Sequence, residues 1–291
     1  MNHDIMTPEG YAAIAAEMNW ESDANNEIVF DGRIVKCGWK PPDPVKYAAM
    51  PRYAAPVIPK SEWRDYSLRP FTPAIYDQNP QSSCTGMGAA GAFGTAWALA
   101  FPNDPHRFSP CFIYGLINGG RDQGASVMDT MEVLRDIGTC LESTVGPREI
   151  WQSRWPSSAK KEATRFKGIA FYVIDTYDQM VTAILNNKPV VFGVCLGRNY
   201  SAGKDGRWAR WDGSQSNGHC MYAAEIKLFP GESEHRVGVP NSWGLWFGDQ
   251  GWGYMDRAYF EGRGQYFEAY AIEVVEADPN DPSLPTPTAE Q

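Results

Sequence analysis

Residues 240–255 have the sequence PNSWGLWFGDQGWGYM, which combines four glycines with three tryptophans. Short apolar or alternating runs flank it at 236–243 and 251–257, and the Gly- and Asp-bearing turn between them indicates an antiparallel hairpin. Runs of the same kind occur at 190–196, 219–226 and 268–276. The chain after Pro189 is therefore predicted to form an antiparallel sheet or partial barrel.

The sequence before Pro189 favours helices instead. Four are predicted, at 82–100, 126–136, 156–166 and 177–186. The first is rich in glycine, which costs an exposed helix about 1 kcal/mol for each residue, so we expect a central helix that other backbone approaches closely. The predicted fold class is α+β, with a main unit at 61–276 divided into a helical lobe at about 61–187 and a β lobe at about 188–276.

The two ends of the chain are predicted to lie outside this unit. Residues 1–60 form a leading segment with a short helix at 8–19, N-capped by Thr7, and a proline-laced extended stretch at 41–59. This segment is interpreted as a propeptide-like cover, an anchoring arm or simple packing. Residues 277–291 have the composition of a flexible tail.

Bulk composition excludes several classes of function. A net charge of −9 argues against a nucleic-acid-binding surface, and no stretch has the roughly 20 consecutive apolar residues of a membrane span. Residues 1–20 lack the basic start and apolar run of a secretory signal, so we expect the cytoplasm or a particle assembled there. The six cysteines are widely spaced and are expected to be mostly reduced, with Cys111, Cys140 and Cys195 as small buried hydrophobic residues.

Cys84 is the leading candidate for chemistry. It stands at the start of the predicted 82–100 helix, just after Ser82 and Ser83, which are expected to cap that helix. The partial positive charge of a helix N-terminus and a nearby imidazolium both favour a thiolate. An arbitrary cysteine at a helix start is more often simply buried, so the surrounding sequence has to decide.

That surrounding sequence, LRPFTPAIYDQNPQSSCTGMGAA at 68–90, resembles the segment around the nucleophile of papain-like cysteine peptidases, in the form found in the bacterial branch. The resemblance implies that Gln78, six residues before Cys84, donates to the oxyanion together with the Cys84 backbone N–H.

Two further motifs extend the resemblance. NGHCMYA places His219 at the entry of a strand, 135 residues after Cys84, and residues 240–255 are similar to the family's Asn-Ser-Trp-Gly signature. By that similarity His219 is the base, Asn241 holds its imidazole in the productive tautomer, and Trp243 shields their hydrogen bond and borders the substrate site.

The resemblance covers about residues 66–260 and implies a papain-like two-lobe fold. It assigns Gly124, Ala125 and Ser126 to the stretch whose backbone pairs with substrate, and Val127 to the pocket for the second residue before the cut. Departures from the pattern include Thr85 after the nucleophile, Asn79-Pro80 after the glutamine and Cys220 after the histidine. None of them removes a catalytic group.

The expected function is hydrolysis of peptide bonds in a peptide or protein substrate, with no metal or organic cofactor. One alternative is a structural or assembly component, for example of a phage particle, that keeps this fold with little proteolysis and binds its partner through residues 1–60. Another is a different acyl transfer by the same residues, such as cleavage of cell-wall amides. The loop at 197–218 is interpreted either as a substrate-selecting rim or as an ordinary loop with its tryptophans tucked onto the lobe.

Overall fold

The computed structural model describes residues 26–198, 200–214, 217–262 and 267–275. Within these ranges the chain opens with an antiparallel hairpin of β1 (Glu27–Phe30) and β2 (Arg33–Lys36). Helix α1 (Pro44–Ala49) follows, because the Asp43 side chain caps the N–H groups of Val45 and Lys46 and proline suits the first helical position. The extended conformation expected at 41–59 is therefore wrong for the part of that range that forms α1. The helix expected at 8–19 and the tail at 277–291 lie outside the described residues.

Six helices follow within the described residues, and the second and third of them pack on the first. They are α2 (Cys84–Ala100), α3 (Pro110–Ile117), α4 (Val127–Asp136), α5 (Ala159–Ala163), α6 (Tyr177–Leu185) and, late in the chain, α7 (Ala258–Glu261), with 3₁₀ turns at Lys60–Glu62, Arg69–Phe71 and Gln152–Arg154. A Cβ on Gly86 would lie 2.4 Å from the Pro110 carbonyl oxygen, and one on Gly91 would lie 2.3 Å from the Tyr222 ring. The glycines of α2 thus allow the close approach that the sequence predicted.

The strands form two four-stranded antiparallel sheets besides the hairpin. One has the order β4 (Ile169–Val173), β10 (Phe267–Val274), β5 (Val190–Cys195), β6 (Gly218–Ala223). The other has the order β3 (Tyr66–Ser67), β7 (Glu225–Lys227), β8 (Arg236–Pro240), β9 (Trp252–Met255). No closed barrel is present within the described ranges.

Two features of the sheets differ from the sequence prediction. The single strand expected at 219–226 is divided at Ala224, whose N–H donates to the Gly238 carbonyl, so that β6 and β7 belong to different sheets. β4 lies within the range expected to be helical and pairs with β10 across the lobes.

The site is positioned where α2 packs against β6 in the centre of the molecule. The first residue of α2 and the second residue of β6 both belong to the fully buried interior. In the described part of the chain, no helix has the length and apolarity needed to cross a membrane.

Candidate active site

Cys84 is the first residue of α2 and is fully buried. Ser83 occupies the N-cap position, but its hydroxyl makes no capping hydrogen bond. The neighbouring Ser82 is held instead through its backbone N–H, which donates to Asp122 Oδ1 at 2.9 Å. The expectation that both serines cap the helix with their side chains is therefore wrong. Because no serine side chain takes them up, the backbone N–H groups of the first turn of α2 remain available near the Cys84 thiol.

His219 lies on β6 and is held by Asn241, which directly follows β8. His219 Nε2 is 2.8 Å from Asn241 Oδ1, and the same oxygen accepts the Ser242 N–H at 2.7 Å. Because this amide oxygen accepts both bonds, Nε2 carries the proton in the neutral ring and Nδ1 is the free base. Nδ1 is buried and has no hydrogen-bond partner among the described residues. His219 thus has the tautomer that a general base for a thiol requires.

Trp243 covers this histidine–asparagine pair. Its ring stacks on His219 with centroids 4.7 Å apart and an interplanar angle of 25°, and it is fully buried. Its Nε1 donates to the Lys36 carbonyl at 3.0 Å. A hydrogen bond kept away from water in this way is stronger than a solvated one.

Gln78 is also fully buried and is connected to the same network. Its Oε1 accepts the Ser242 hydroxyl at 2.6 Å, and its Nε2 donates to the Gln81 carbonyl at 2.9 Å. The Gln81 carbonyl can only accept, so it fixes which end of the Gln78 amide is the NH₂ group, and the Ser242 hydroxyl then donates to the oxygen at the other end. The second N–H of Nε2 remains for an acceptor in the site. Sequence reasoning missed this role of Ser242.

In the described conformation the protonation states are those of a resting site. Burial raises the pKa of Cys84 to about 12, partly offset by backbone hydrogen bonds from Cys220, Thr85, Cys84 and Trp39. Burial lowers the pKa of His219 to about 4, and the bond to Asn241 opposes this. The Cys84 thiol and the His219 imidazole are therefore both neutral in this closed conformation, because burial disfavours the charged form of each group.

The cleft is closed by residues 36–40 of the leading segment, here called the cover. The N–H groups of Gly38 and Trp39 both approach the Gly218 carbonyl at 3.1 Å, on the residue before His219. On the opposite wall the Ala125 N–H donates to the Gly38 carbonyl and the Lys40 N–H donates to the Ala125 carbonyl, each at 2.9 Å. The cover thus bridges the two lobes directly over Cys84.

The cover fits tightly because it contains a glycine at its narrowest point. Gly38 has φ 149°, and a Cβ there would lie 2.2 Å from the Ser82 carbonyl oxygen. A Cβ on Gly124 would in turn lie 2.0 Å from the Gly38 carbonyl oxygen. Both walls and the cover are therefore in backbone-to-backbone contact.

The residues assigned to substrate binding lie along this cover. Gly124 and Ala125 contact it, as a parallel bridge between Trp39 and Ala125. Ser126 is the N-cap of α4, and its hydroxyl accepts the Asp129 N–H at 3.1 Å. Val127 is the first residue of α4, and its N–H donates to Glu268.

A pocket beside the cover was missed by sequence reasoning. The Trp39 indole is 1% exposed, and its Nε1 donates to Glu268 Oε2 at 2.7 Å. Burial raises the pKa of Glu268 to about 7, although hydrogen bonds from Trp39, Met128, Val127 and Tyr270 favour its charged form. Sequence gave no signal here, because a glutamate at the start of a strand is usually exposed.

The tryptophans of the loop at 197–218 pack onto the β lobe, as in the interpretation of this segment as an ordinary loop. Trp208 and Trp211 are buried, and Trp208 packs edge-on against Tyr259 at 5.4 Å. Arg207 pairs with Asp205 at 2.7 Å. These side chains stabilise the β lobe. All six cysteines are buried, free thiols, as expected.

Comparison with solved structures identifies the architecture. The chain superposes on xylellain, a cysteine protease from Xylella fastidiosa, with a TM-score of 0.62 and 20% identity over 87% of this chain and 97% of that one. The chain has the papain-like fold. The predicted two-lobe α+β architecture is thereby confirmed.

Two proforms of cysteine peptidases give similar agreement. Digestive procathepsin L 3 of Tenebrio molitor matches with a TM-score of 0.60 and 16% identity, over 79% of this chain and 78% of that chain. Procathepsin B from Trypanosoma congolense matches with a TM-score of 0.62 and 11% identity, over 89% and 96%. No protein-family model matches the sequence, and no curated protein does.

Proposed function

We propose that this chain is a cysteine endopeptidase that hydrolyses peptide bonds with Cys84 as nucleophile, His219 as base and Asn241 as the residue that orients the base. The observation that carries the proposal is the histidine's hydrogen bonding. Nε2 is bound to Asn241 under the Trp243 ring, while Nδ1 is a buried base that has no hydrogen-bond partner within the described part of the chain. The cysteine-protease fold of the similar structures supports the same assignment.

In the proposed mechanism the Cys84 thiol transfers its proton to His219 Nδ1, and the thiolate attacks the substrate carbonyl. The backbone N–H of Cys84 and the free N–H of Gln78 Nε2 stabilise the oxyanion. His219 then protonates the leaving amine and activates the water that hydrolyses the thioester. Every group needed is a side chain or backbone atom of this protein.

Residues 36–40 act in this proposal as an inhibitory cover. They occupy the wall positions that the family resemblance assigns to substrate backbone, and they leave Cys84 fully buried. Turnover therefore requires the cover to leave the cleft. The similarity of the segment at 68–90 to the bacterial branch supports placing the protein there.

Substitution of Cys84 tests the function directly. The chain with Cys84→Ala should cleave no peptide and take up no epoxide-type cysteine-peptidase inhibitor. In the parent chain, mass spectrometry should show stoichiometric labelling of Cys84, and His219→Ala should lose it. Ala is small enough for the buried position, so thermal unfolding should change little in the first variant. Normal peptide cleavage by Cys84→Ala would refute the assignment.

The closed cleft also favours a second candidate function, a structural or assembly component that keeps this fold with weak or no proteolysis. A protein without proteolytic activity can keep its cysteine as a neutral thiol under a cover that bridges both lobes, because that thiol does not have to react. A large oligomer in size-exclusion chromatography, together with no labelling of Cys84 in folded protein even after the cover is weakened, would favour it.

A further inference from the structure

Glu268 has a complete set of hydrogen-bond donors in the described structure. Its Oε1 accepts the Met128 N–H at 2.7 Å and the Tyr270 hydroxyl at 3.0 Å. Its Oε2 accepts the Val127 N–H at 3.1 Å and the Trp39 indole N–H at 2.7 Å. Three of these donors belong to the body of the protein, and one belongs to the cover. When the cover leaves, one buried acceptor position on Oε2 loses its partner.

The pocket also has a distinctive shape. Gly193 forms one side of it, and a Cβ at this position would lie 2.2 to 2.4 Å from the Nε1, Cε2 and Cδ1 atoms of the Trp39 ring. The absence of a side chain on Gly193 therefore leaves a flat slot against the strand. The slot is wide enough for an indole laid on backbone, and it ends at the carboxylate.

A single acceptor position in a buried slot matches a ligand that has a single donor. An indole carries one N–H and an otherwise apolar ring. An ammonium carries three donors and a guanidinium five, so either cation would enter the slot with donors that Glu268 alone cannot satisfy. Burying such unsatisfied donors is costly. The charge of Glu268 is already compensated by two backbone N–H groups at the start of α4.

We propose that this slot is a recognition site for an indole side chain of the substrate, with Glu268 as the acceptor that selects its N–H and Gly193 as the surface that admits its ring. Trp39 of the cover occupies the site in the resting protein. The inference rests on the proposed function for the statement that the ligand is a substrate side chain, but the binding site itself does not require catalysis. Val127, assigned by resemblance to the pocket for the second residue before the cut, donates to the same carboxylate.

A binding measurement on the full chain with Trp39→Ala tests the site without any turnover. Indole and benzothiophene are the probes, because they have almost the same shape and sulfur replaces the N–H in the second. Hydrogen bonds to charged groups are the stronger class, so isothermal titration should show indole binding about tenfold or more tightly. Equal affinities, or tighter binding of benzothiophene, would overturn the proposal.

The double variant Trp39→Ala/Glu268→Gln is the matched control. The Oε1 position has the shorter backbone bond, from the Met128 N–H at 2.7 Å, and the Tyr270 hydroxyl as a second donor, so the glutamine oxygen should take that position. Its NH₂ group then takes the Oε2 position, which faces the slot. The preference for indole over benzothiophene should then disappear. Persistence of the preference in folded double variant would show that Glu268 is not the selecting group.

Peptide substrates provide a second measurement that does not depend on the folding of Trp39→Ala. The chain with Gly38→Ala keeps every pocket residue, and two substrates that differ only in tryptophan or 3-benzothienylalanine at the second residue before the cut should differ about tenfold in kcat/KM. Cleavage of both at equal rates would refute the indole site and leave the peptidase assignment intact. Selective indole binding without any peptide cleavage would support the indole site and refute the peptidase assignment.

Discussion

Replacing Trp39 with alanine should release the cover from the cleft. The indole is almost fully buried and donates to a buried carboxylate, so truncation removes packing and leaves an acceptor without its partner. Comparable truncations of buried tryptophan cost about 3–5 kcal/mol. The backbone bonds of Gly38 and Lys40 remain available in the variant. The closed state should therefore weaken by roughly that amount, a change of about 10²- to 10³-fold or more in the ratio of open to closed protein.

The rate at which an epoxide-type inhibitor labels Cys84 measures this ratio, because only the open state exposes the thiol. Labelling should accelerate by the same factor until the open state predominates. The chain with Trp39→Phe keeps most of the ring and loses the N–H, so it should accelerate less, by about 10- to 100-fold. Trp155→Ala controls for loss of a tryptophan as such, since Trp155 stacks on Phe112 of α3 at 4.8 Å. That variant should label at the parent rate.

The reasoning would be refuted by a folded Trp39→Ala chain that is labelled as slowly as the parent. It would equally be refuted if the parent chain were labelled as fast as a small exposed thiol, because the cover would then not protect Cys84. Circular dichroism and thermal unfolding of each variant distinguish cover opening from global unfolding.

Three further predictions concern other parts of the site. In Gly38→Ala the new Cβ would meet the Ser82 carbonyl, so Cys84 labelling should accelerate while thermal unfolding of the body changes little; an unchanged labelling rate would contradict the tight fit. In Gln78→Ala, kcat should fall by about 10²- to 10³-fold with KM nearly constant, as for loss of one oxyanion donor, and an unaltered kcat in steady-state assays would remove Gln78 from the mechanism. Glu268, with its pKa raised to about 7, should make the free energy of unfolding fall as pH rises from about 4.5 to 7, whereas His219, with its pKa lowered to about 4, should make it rise from about 4 to 6.5. Denaturant unfolding should therefore show a free energy of unfolding that only rises with pH in Glu268→Gln and only falls with pH in His219→Ala. The same pH profile in the parent and both variants would contradict both assignments.

The sign of each pH effect follows from proton counts. Between its ordinary and its raised pKa, Glu268 binds more protons folded than unfolded, so its contribution to stability is lost as pH rises. His219 binds fewer protons when folded, so its contribution is lost as pH falls. Burial raises the pKa of Tyr47 and Cys220, which also face Glu268, so neither titrates in this window.

The sequence alone predicted the parts of this protein that depend on local pattern. The α2, α4 and α6 helices were placed within one or two residues, since a long run of small apolar residues marks α2 and periodic apolar positions mark α4 and α6. The strands after Pro189 were found because short apolar or alternating runs, separated by turn residues, mark them. The pairing of His219 with Asn241 followed from motifs whose order in the sequence is specific.

The features that the sequence did not predict depend on contacts between segments far apart in the chain. The division of one predicted strand at Ala224 is set by its bond to Gly238, which no local pattern indicates. The pocket of Trp39 and Glu268 joins residues 229 positions apart, and a buried carboxylate cannot be distinguished from an exposed one in a strand sequence. The role of residues 36–40 was left open among three interpretations because extended segments have few internal constraints.

The cover is joined to the body of the protein by only Pro41, Pro42 and Asp43 before α1 begins, and beyond α1 the Tyr53 N–H donates to the Val173 carbonyl at 2.9 Å. It therefore binds its own cleft as an intramolecular ligand, at the millimolar effective concentration typical of a short tether. A single cut in that short connection would leave every contact in place and yet turn closure into a bimolecular event. Dilution would then favour the open form, so that one broken peptide bond could set the resting state of the molecule by concentration alone.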